Sequence, residues 1–206
     1  MREPITYVEI DQDFCTRIYG VTPCMAAIGI AGQQKCFNTR ATCQDPNNYK
    51  VGTKTLRFTK NGVQAQEGVY AIPSVLSVST TPTEINPGTG GKRSGPLGLR
   101  ASLSIKLADH PHSDNVVDPY VAERAYNPSE RGTFWSKWLV RNPYYNNRKI
   151  RVIEGYRDQD ISEMQSRTYF IDRIVGPDSR GQVTITAKDV LRLADDDKAL
   201  VPKPSP

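Results

Sequence analysis

The chain has 206 residues, a mass of 23.0 kDa, a formal net charge of +5 and a sequence pI near 9.0. This length suffices for one large domain or two small ones with a buried core, whereas the charge is too small to indicate nucleic-acid binding by itself. No stretch approaches the roughly eighteen consecutive apolar residues that span a membrane, and residues 1–15 lack the apolar run of a secretory signal, so we expect no membrane segment and a reducing compartment.

Short strands are predicted for the N-terminal part of the chain. Strands are expected at residues 7–10 and 54–58, and the second is followed by Asn61-Gly62, a dipeptide typical of a β-hairpin turn. Residues 69–78 are rich in apolar side chains, but Pro73 places this segment at a sheet edge or at a bend.

The middle of the chain contains a loop and a well-defined strand. Residues 86–98 are rich in glycine and proline, which predicts a flexible loop or an interdomain linker. Residues 99–107 alternate strictly between apolar and polar side chains, which predicts a strand with one buried face. The polar residues 108–120 are expected to form a loop.

A short helix is predicted at residues 132–140, with Ser129 as its N-cap and an apolar face made by Phe134, Trp135, Trp138 and Leu139. Asn142-Pro143 is expected to end this helix. More strands are predicted at residues 150–156, 168–175 and 183–187, with a last short helix near residues 190–193 capped by Asp189.

These elements predict a mainly β fold with short helices and a small, irregular, cysteine-rich N-terminal module. Residues 1–60 are assigned to the cysteine-rich module with its flanking strands, and residues 61–98 to an edge strand and a Gly/Pro-rich linker. Residues 99–200 are assigned to a β-rich, barrel-like domain, and residues 201–206 to a proline-rich exit segment.

All four cysteines of the chain lie between residues 15 and 43, separated by 8, 11 and 6 residues. Such crowding predicts that Cys15, Cys24, Cys36 and Cys43 meet in space. Four cysteines can close a zinc site as thiolates, hold an iron–sulfur cluster with one cysteine on each iron, form two disulfides when oxidised, or remain free thiols in a small core.

Spacing and compartment bear on these alternatives. Zinc ligands usually come in pairs two to four residues apart, and no such pair is present, whereas a wider cluster can take ligands from separate loops. Gly20, Pro23, Gly29, Gly32 and Asn38 suit such loops. A reducing compartment makes disulfides less favourable and leaves both metal sites open.

Other chemistry-bearing residues give weaker signals. Asp109, His110, His112 and Asp114 could bind a metal, but a hydrogen-bonded loop or a subunit contact is the stronger interpretation. Trp135 and Trp138 are interpreted as core or interface anchors before a stacking site. The basic stretch 141–151, with two tyrosines, is typical of a nucleic-acid patch, although a solvated or subunit-facing surface is commoner. With no nucleotide-binding, nucleophile-elbow or zinc-protease motif, we expect a protein that is not an enzyme.

Several segments of the chain form a recognisable set: VEIDQDFC, YGVTPC and KCFNTRATCQD around the cysteines, and later GLRASLSIKLADHPHSDNVVDPY, GTFWSKWLVRNPYY and ITAKDVLRLADDDKA. Together these segments resemble the tail-tip hub proteins of long-tailed phages and of gene transfer agents. The resemblance extends over nearly the whole chain. The hub is similar to the tail-tip protein of lambda-like phages, in which the cluster domain follows the hub domain, whereas here the cysteines come first.

The resemblance implies a β-rich hub domain and a 4Fe-4S cluster held by Cys15, Cys24, Cys36 and Cys43. It also implies a structural virion protein, assembled in the host cytoplasm and placed at the tail tip as a ring, expected to be trimeric. The expected partners are the distal tail protein, the central fibre or receptor-binding protein and the tape-measure protein, without sequence-specific nucleic acid. The Trp135–Trp138 helix and residues 109–114 are the expected interface. The alternative interpretation, from the residues alone, is a zinc-stabilised nucleic-acid-binding module.

Overall fold

The structure is a computed structural model, and it describes residues 2–27, 34–82 and 101–190. The strands are β1 (Pro4–Cys15), β2 (Val51–Lys60), β3 (Ile72–Thr81), β4 (Ser102–Ala108), β5 (Lys149–Tyr156), β6 (Gln165–Val175) and β7 (Gln182–Lys188). An eight-residue helix, α1 (Phe134–Arg141), lies between β4 and β5, and short 3-10 turns occur in the connections. The predicted fold class, mainly β with short helices, is confirmed.

The seven strands close into a barrel in the order β1-β2-β3-β4-β7-β6-β5. Six of the seven neighbouring pairs are antiparallel, and β2 with β3 is the parallel pair. Closure occurs where β1 meets β5, with Val8 opposite Val152 and Ile10 opposite Ile150. Strands from both sides of the predicted linker therefore belong to one sheet, and the assigned boundary at residues 61–98 does not separate two sheets.

The barrel interior contains one large apolar core. Alternate residues of β1, such as Val8 and Ile10, point into it, as period-two strands require. The aromatic face of α1 packs in the same core, and the Phe58 ring stacks on Trp135 with centroids 5.3 Å apart. Trp135 Nε1 donates to Ser74 Oγ, and Trp138 Nε1 donates to the buried Gln12 Oε1 at 2.7 Å. The predicted apolar face of the helix is thus a core element.

The hairpin predicted at Asn61-Gly62 is wrong, although the turn itself forms. Val63 N–H donates to Lys60 O at 3.0 Å and Gly62 has a φ of +79°. The chain then crosses the outside of the barrel instead of reversing, because Val63, Ala65, Val69 and Ala71 pack on an outer apolar cluster made by Ile5, Tyr7, Ile153 and Met164. After this crossover, β3 runs parallel to β2.

Pro73 lies in β3 next to a register shift between Thr59 and Lys60 of β2, as expected for a proline confined to an irregular point of a sheet. The predicted loop at residues 86–98, positions 99 and 100 of the next predicted strand, most of the helix at 190–193 and the tail at 201–206 lie outside the described residues.

The predicted N-cap of the helix is also wrong. Ser129 belongs to a separate 3-10 turn, Pro128–Glu130, which is capped by Asn127. The helix starts at Phe134, and its Trp135 N–H donates to the carboxylate of Asp109 at 2.8 Å. The acceptor comes from a distant part of the chain, so no local pattern marks this start. In the described segments, no helix is both long and apolar enough to cross a membrane.

Candidate metal centre at the four cysteines

The four cysteines line one pocket beside the end of β1. Cys15 is the last residue of β1, Cys24 and Cys36 lie in irregular segments, and Cys43 follows the 3-10 turn Arg40–Thr42. The cavity enclosed between the lining atoms has a volume of about 10 Å³ in this arrangement, and about 330 Å³ when the space open to solvent is included. All four side chains are free thiols, with Cys15 buried and the others half-buried. The structure therefore brings together the residues that the sequence predicted would meet.

Asn38 organises the backbone on which two of these thiols stand. Its carbonyl accepts from Cys15 N–H at 2.6 Å, and its side-chain amide donates to the carbonyls of Cys15 and Arg17 at 3.0 and 3.1 Å. The Cys36 thiol donates to Asn38 Oδ1 at 3.4 Å. Asn38 is buried and has a φ of +56°, a conformation that asparagine tolerates better than most residues.

Two local motifs hold the other cysteines. Cys24 N–H donates to Val21 O at 2.9 Å, closing a turn next to Gly20. Before Cys43, Thr42 Oγ1 accepts from Phe37 N–H at 3.1 Å and lies 2.9 Å from the Thr39 hydroxyl. Hydrogen bonds thereby position the backbone at the cysteines, and Cys24 and Cys36 also pack against a small apolar cluster.

Burial and proximity both disfavour thiolates in the metal-free site. Burial raises the pKa of Cys36, and the nearby charges of Cys43, Cys24 and Cys15 raise it further, against a backbone hydrogen bond from Asn38. Burial also raises the pKa of Cys43, with Cys15 and Cys24 acting in the same direction. A bound metal cation would favour the thiolate form instead, because metal coordination deprotonates thiols.

Two buried donors on the pocket support an anionic occupant. Tyr49 Oη and Arg17 Nε are buried and have no hydrogen-bond partner among the described residues, and both residues line the cysteine pocket. Burial, followed by the charges of Asp13 and Cys15, raises the pKa of Tyr49 to about 12, so the phenol keeps its proton at neutral pH. Four thiols with two unpaired donors around them match the donor set and charge of a metal–thiolate centre.

As placed, no three His, Cys, Asp or Glu side chains in residues 2–27, 34–82 and 101–190 are arranged to hold a metal ion. A 4Fe-4S cluster takes one thiolate on each iron, so its ligands stand farther apart than those of one zinc ion. Gly29 and Gly32, which the sequence analysis assigned to loops between the cysteines, lie outside the described residues.

A buried ion pair docks the cysteine segment on the rest of the molecule. Arg124 contacts both carboxylate oxygens of Asp118, at 2.8 and 3.1 Å, and both side chains are at most 3% exposed. The same guanidinium donates to the carbonyls of Lys35 and Cys36 at 2.6 and 3.0 Å. Arg124 therefore ties the backbone at Cys36 to the connection between β4 and α1.

Aromatic contacts complete this docking. The Phe37 ring lies between the guanidinium groups of Arg124 and Arg141, 4.1 and 3.9 Å from its centroid. Tyr19 N–H donates to Tyr120 Oη at 2.8 Å, and the two rings meet edge to face. The cysteine segment thus packs against residues 109–141 through cation–π and aromatic contacts.

Residues 109–114 form a hydrogen-bonded loop, as the stronger of the two sequence interpretations predicted. Asp114 is buried and contacts Lys137 Nζ and Arg141 Nη2, each at 2.9 Å. His112 Nδ1 lies 2.9 Å from the Asp114 backbone nitrogen and 3.5 Å from Asp114 Oδ1. The loop holds α1 in place through Asp114, whose side chain is buried.

The predicted interface helix and the basic stretch are placed differently from the expectation. Trp135 and Trp138 are at most 2% exposed in the barrel core, so they are unavailable to a neighbouring subunit. In the stretch 141–151, Arg141, Arg148 and Arg151 pair with Asp114, Asp13 and Glu9. These carboxylates neutralise most of the charge that suggested a nucleic-acid patch.

The sequence interpretation missed Asp118, Tyr120 and Arg124 and placed Asn38 only as a loop residue. Asp118 and Tyr120 lie in a segment recognised as polar, but no local pattern marks Tyr120 or Arg124 as a partner of residues 19–37. The Tyr19–Tyr120 and Lys35–Arg124 contacts join residues about 90 to 100 positions apart. Comparison of the chain with protein-family models, with curated proteins and with solved structures gives no match.

Proposed function

We propose that this protein is a structural component of a phage tail tip that holds a 4Fe-4S cluster through Cys15, Cys24, Cys36 and Cys43. The observation that carries the proposal is the convergence of these four free thiols, dispersed in sequence, on one pocket beside the barrel. The sequence resemblance to tail-tip hubs and the β-barrel agree with it.

The role proposed for the cluster is structural. The apolar core of the cysteine segment is small, with Tyr19 and Ala26 packed against Tyr120 and flanked by Cys24 and Cys36. Such a core contributes little stability alone, and metal–thiolate bonds couple binding free energy directly to folding. When bound, the cluster would supply four iron–thiolate bonds that crosslink segments 15–24 and 36–43.

Metal and sulfide analysis of protein purified without oxygen tests this site. We expect about four irons and four acid-labile sulfides per chain, with a brown visible absorption spectrum. Cys24→Ser and Cys36→Ser should lower both contents, whereas Met25→Leu, an exposed change in the same segment, should not. One zinc per chain without colour would favour the zinc-stabilised nucleic-acid-binding alternative, and oxidised cysteines without metal would favour disulfides.

In the tail tip, the chain would form a ring, proposed to be a trimer, that closes the tail tube. The ring would join the distal tail protein to the central fibre or receptor-binding protein and would meet the tape-measure protein from inside. Such a role requires binding surfaces and no catalytic residues. It also places the protein in the virion after assembly in the host cytoplasm.

The candidate lateral surface is the exposed part of the cysteine segment. Ile18, Val21 and Met25 are 63%, 53% and 67% exposed, which is unusual for large apolar side chains close together in sequence. Since the Trp135–Trp138 face lies in the core, these residues replace it as the proposed contact between subunits.

Analytical ultracentrifugation tests the assembly. The wild-type chain should form oligomers at high concentration and bind the distal tail protein. The double variant Val21→Ser/Met25→Ser should weaken association, whereas Val175→Ser, an exposed apolar residue on β6, should not. A wild-type chain that stays monomeric and binds no tail protein would exclude the hub role while leaving the metal site intact.

A further inference from the structure

Two side chains on the cysteine pocket carry buried donors whose function the four thiols alone do not explain. Arg17 Nε and Tyr49 Oη have no hydrogen-bond partner within the described residues. A buried N–H or O–H that lacks an acceptor is unfavourable, so such groups usually face a ligand, an ion or water. Both residues line the same pocket as Cys15, Cys24, Cys36 and Cys43.

The backbone near both residues is held by hydrogen bonds that leave these side-chain donors free. The Arg17 carbonyl accepts from the Asn38 amide at 3.1 Å. Tyr49 N–H donates to Pro46 O at 3.3 Å, and the Arg40 guanidinium lies 5.7 Å from the centroid of the Tyr49 ring. Hydrogen bonds therefore hold the backbone at both residues, of which Arg17 lies between Cys15 and Cys24 and Tyr49 follows Cys43.

The chemistry of the pocket identifies the acceptor. Neutral thiols are weak acceptors, whereas the thiolate and sulfide sulfurs of a bound cluster carry negative charge and accept hydrogen bonds. We propose that Arg17 Nε–H and Tyr49 O–H donate to sulfur atoms of the metal–thiolate centre and raise its reduction potential. This inference rests on the proposed cluster and assigns positioning residues that do not themselves bind iron.

The expected direction follows from charge. Reduction adds an electron to an anionic centre, so donors and positive charge near its sulfurs stabilise the reduced form more than the oxidised form. Removing a donor should therefore make the potential more negative. Removing the Arg17 charge together with its donor should have a larger effect than removing the Tyr49 hydroxyl.

The variants Tyr49→Phe, Arg17→Lys and Arg17→Gln separate hydrogen bonding from charge. Tyr49→Phe retains the ring, Arg17→Lys retains the charge without Nε, and Arg17→Gln removes the charge. The controls are Tyr144→Phe and Arg180→Gln, which change exposed residues that do not line the pocket. Iron and sulfide per chain are measured first, followed by anaerobic redox titration with dye mediators and by the rate of iron loss to a chelator.

We expect Tyr49→Phe and Arg17→Gln to bind iron, to have more negative potentials and to lose iron about tenfold faster than wild type, with Arg17→Lys intermediate. Wild-type potentials in iron-loaded Tyr49→Phe and Arg17→Gln would overturn the inference and leave the cluster in place. A wild-type protein without iron and sulfide would overturn the cluster proposal itself. If Arg17→Gln binds no iron, the inference is judged on Tyr49→Phe and Arg17→Lys. More negative reduction potentials in these two variants support it, and wild-type potentials overturn it.

Discussion

Asn38 supports the cysteine site with its backbone, its side chain and its positive φ at once. The Asn38→Gly variant keeps the backbone conformation but leaves the Cys15 and Arg17 carbonyls without the amide donor, while Asn38→Ala also strains φ. We expect losses of about 1–2 kcal/mol for glycine and about 1 kcal/mol more for alanine. Urea unfolding of the metal-free protein measures the free energy of unfolding of both variants. Equal stabilities of Asn38→Gly and Asn38→Ala would show that the positive φ of residue 38 imposes no strain on alanine.

Asp114 is the buried acid that Lys137 and Arg141 neutralise. Burial alone would raise its pKa, but the hydrogen bonds with His112 and Lys137 and the charge of Arg141 outweigh burial and hold the pKa at about 2. Because the folded-state value lies below the unfolded value of about 3.9, the unfolded chain binds more protons between these pH values. Asp114 therefore contributes about 2 kcal/mol above pH 5, and this contribution is lost as the pH falls toward 2.

Asp114→Asn tests this prediction, since asparagine keeps the shape and tolerates the φ of +61°. We expect a loss of about 3 kcal/mol at pH 6, because two buried cations lose their partner, and a smaller difference from wild type at pH 2.5. Urea unfolding with a chelator present gives the difference in free energy of unfolding between variant and wild type at each pH. The exposed Asp158→Asn serves as control, and a difference that does not change with pH would refute the argument.

At the scale of single residues, the sequence predicted the site from the crowding of its cysteines, but it did not predict the supporting residues. Cys15 to Cys43 form a pattern that needs no knowledge of the fold. Asn38, Asp118 and Arg124 acquire their roles from partners that only the folded chain brings near, and their residue types are ordinary for loops.

Among the elements, the connection between β4 and α1 links the cysteine segment to the barrel. Arg124 contacts Asp118, the carbonyls at Lys35 and Cys36, and the Phe37 ring. Arg124→Ala should release residues 34–43 while leaving the strands folded, because the barrel core does not include this ion pair.

Hydrogen–deuterium exchange measures that release. In Arg124→Ala, amides of residues 34–43 should exchange at least tenfold faster, as expected when a buried charge pair is broken, and those of β4 to β7 should be unchanged. Arg131→Ala, which removes an exposed guanidinium over Tyr126, is the matched control. Equal acceleration in all strands would mean that segment and barrel unfold as one unit.

Element positions were easier to predict than element connections. Alternating side chains located β4 and β7 because one face of each strand packs in the core. The Asn61-Gly62 turn did not determine the direction of β3, since the outer apolar cluster around Tyr7 determines where residues 63–71 run. Likewise, the start of α1 depends on Asp109, some 25 residues upstream.

On the scale of the whole molecule, Glu9 lies at the closure of the barrel. It is directly opposite Arg57 of β2 and Arg151 of β5, is 3% exposed, and contacts both guanidinium groups. One carboxylate thus joins three neighbouring strands. Closure itself could not be predicted from sequence, because β1 and β5 pair across more than 130 positions with no local signal.

Glu9→Gln removes the charge shared by these strands while preserving the size of the side chain. We expect a loss of about 2 kcal/mol, moderated because each arginine is about one-third exposed, and a Tm lower by about 6 °C. Calorimetry should show one transition shifted as a whole. Glu154→Gln, from an exposed pair with Arg167, should change the Tm little, and equal effects of the two variants would contradict the proposed role.

The closed barrel also limits how this protein can meet others. Each of its seven strands pairs with a neighbour on both sides, but β2 and β3 pair only at residues 58–60 and 72–75, so residues 51–57 of β2 have no strand partner on the β3 side among the described residues. A foreign strand could be added only along short unpaired stretches of this kind, and elsewhere neighbouring chains must dock on side-chain surfaces and loops, where shape and charge select the partner. The same closure protects most of the sheet from edge-to-edge aggregation, and it confines evolutionary change in binding to the loops that project from a constant framework.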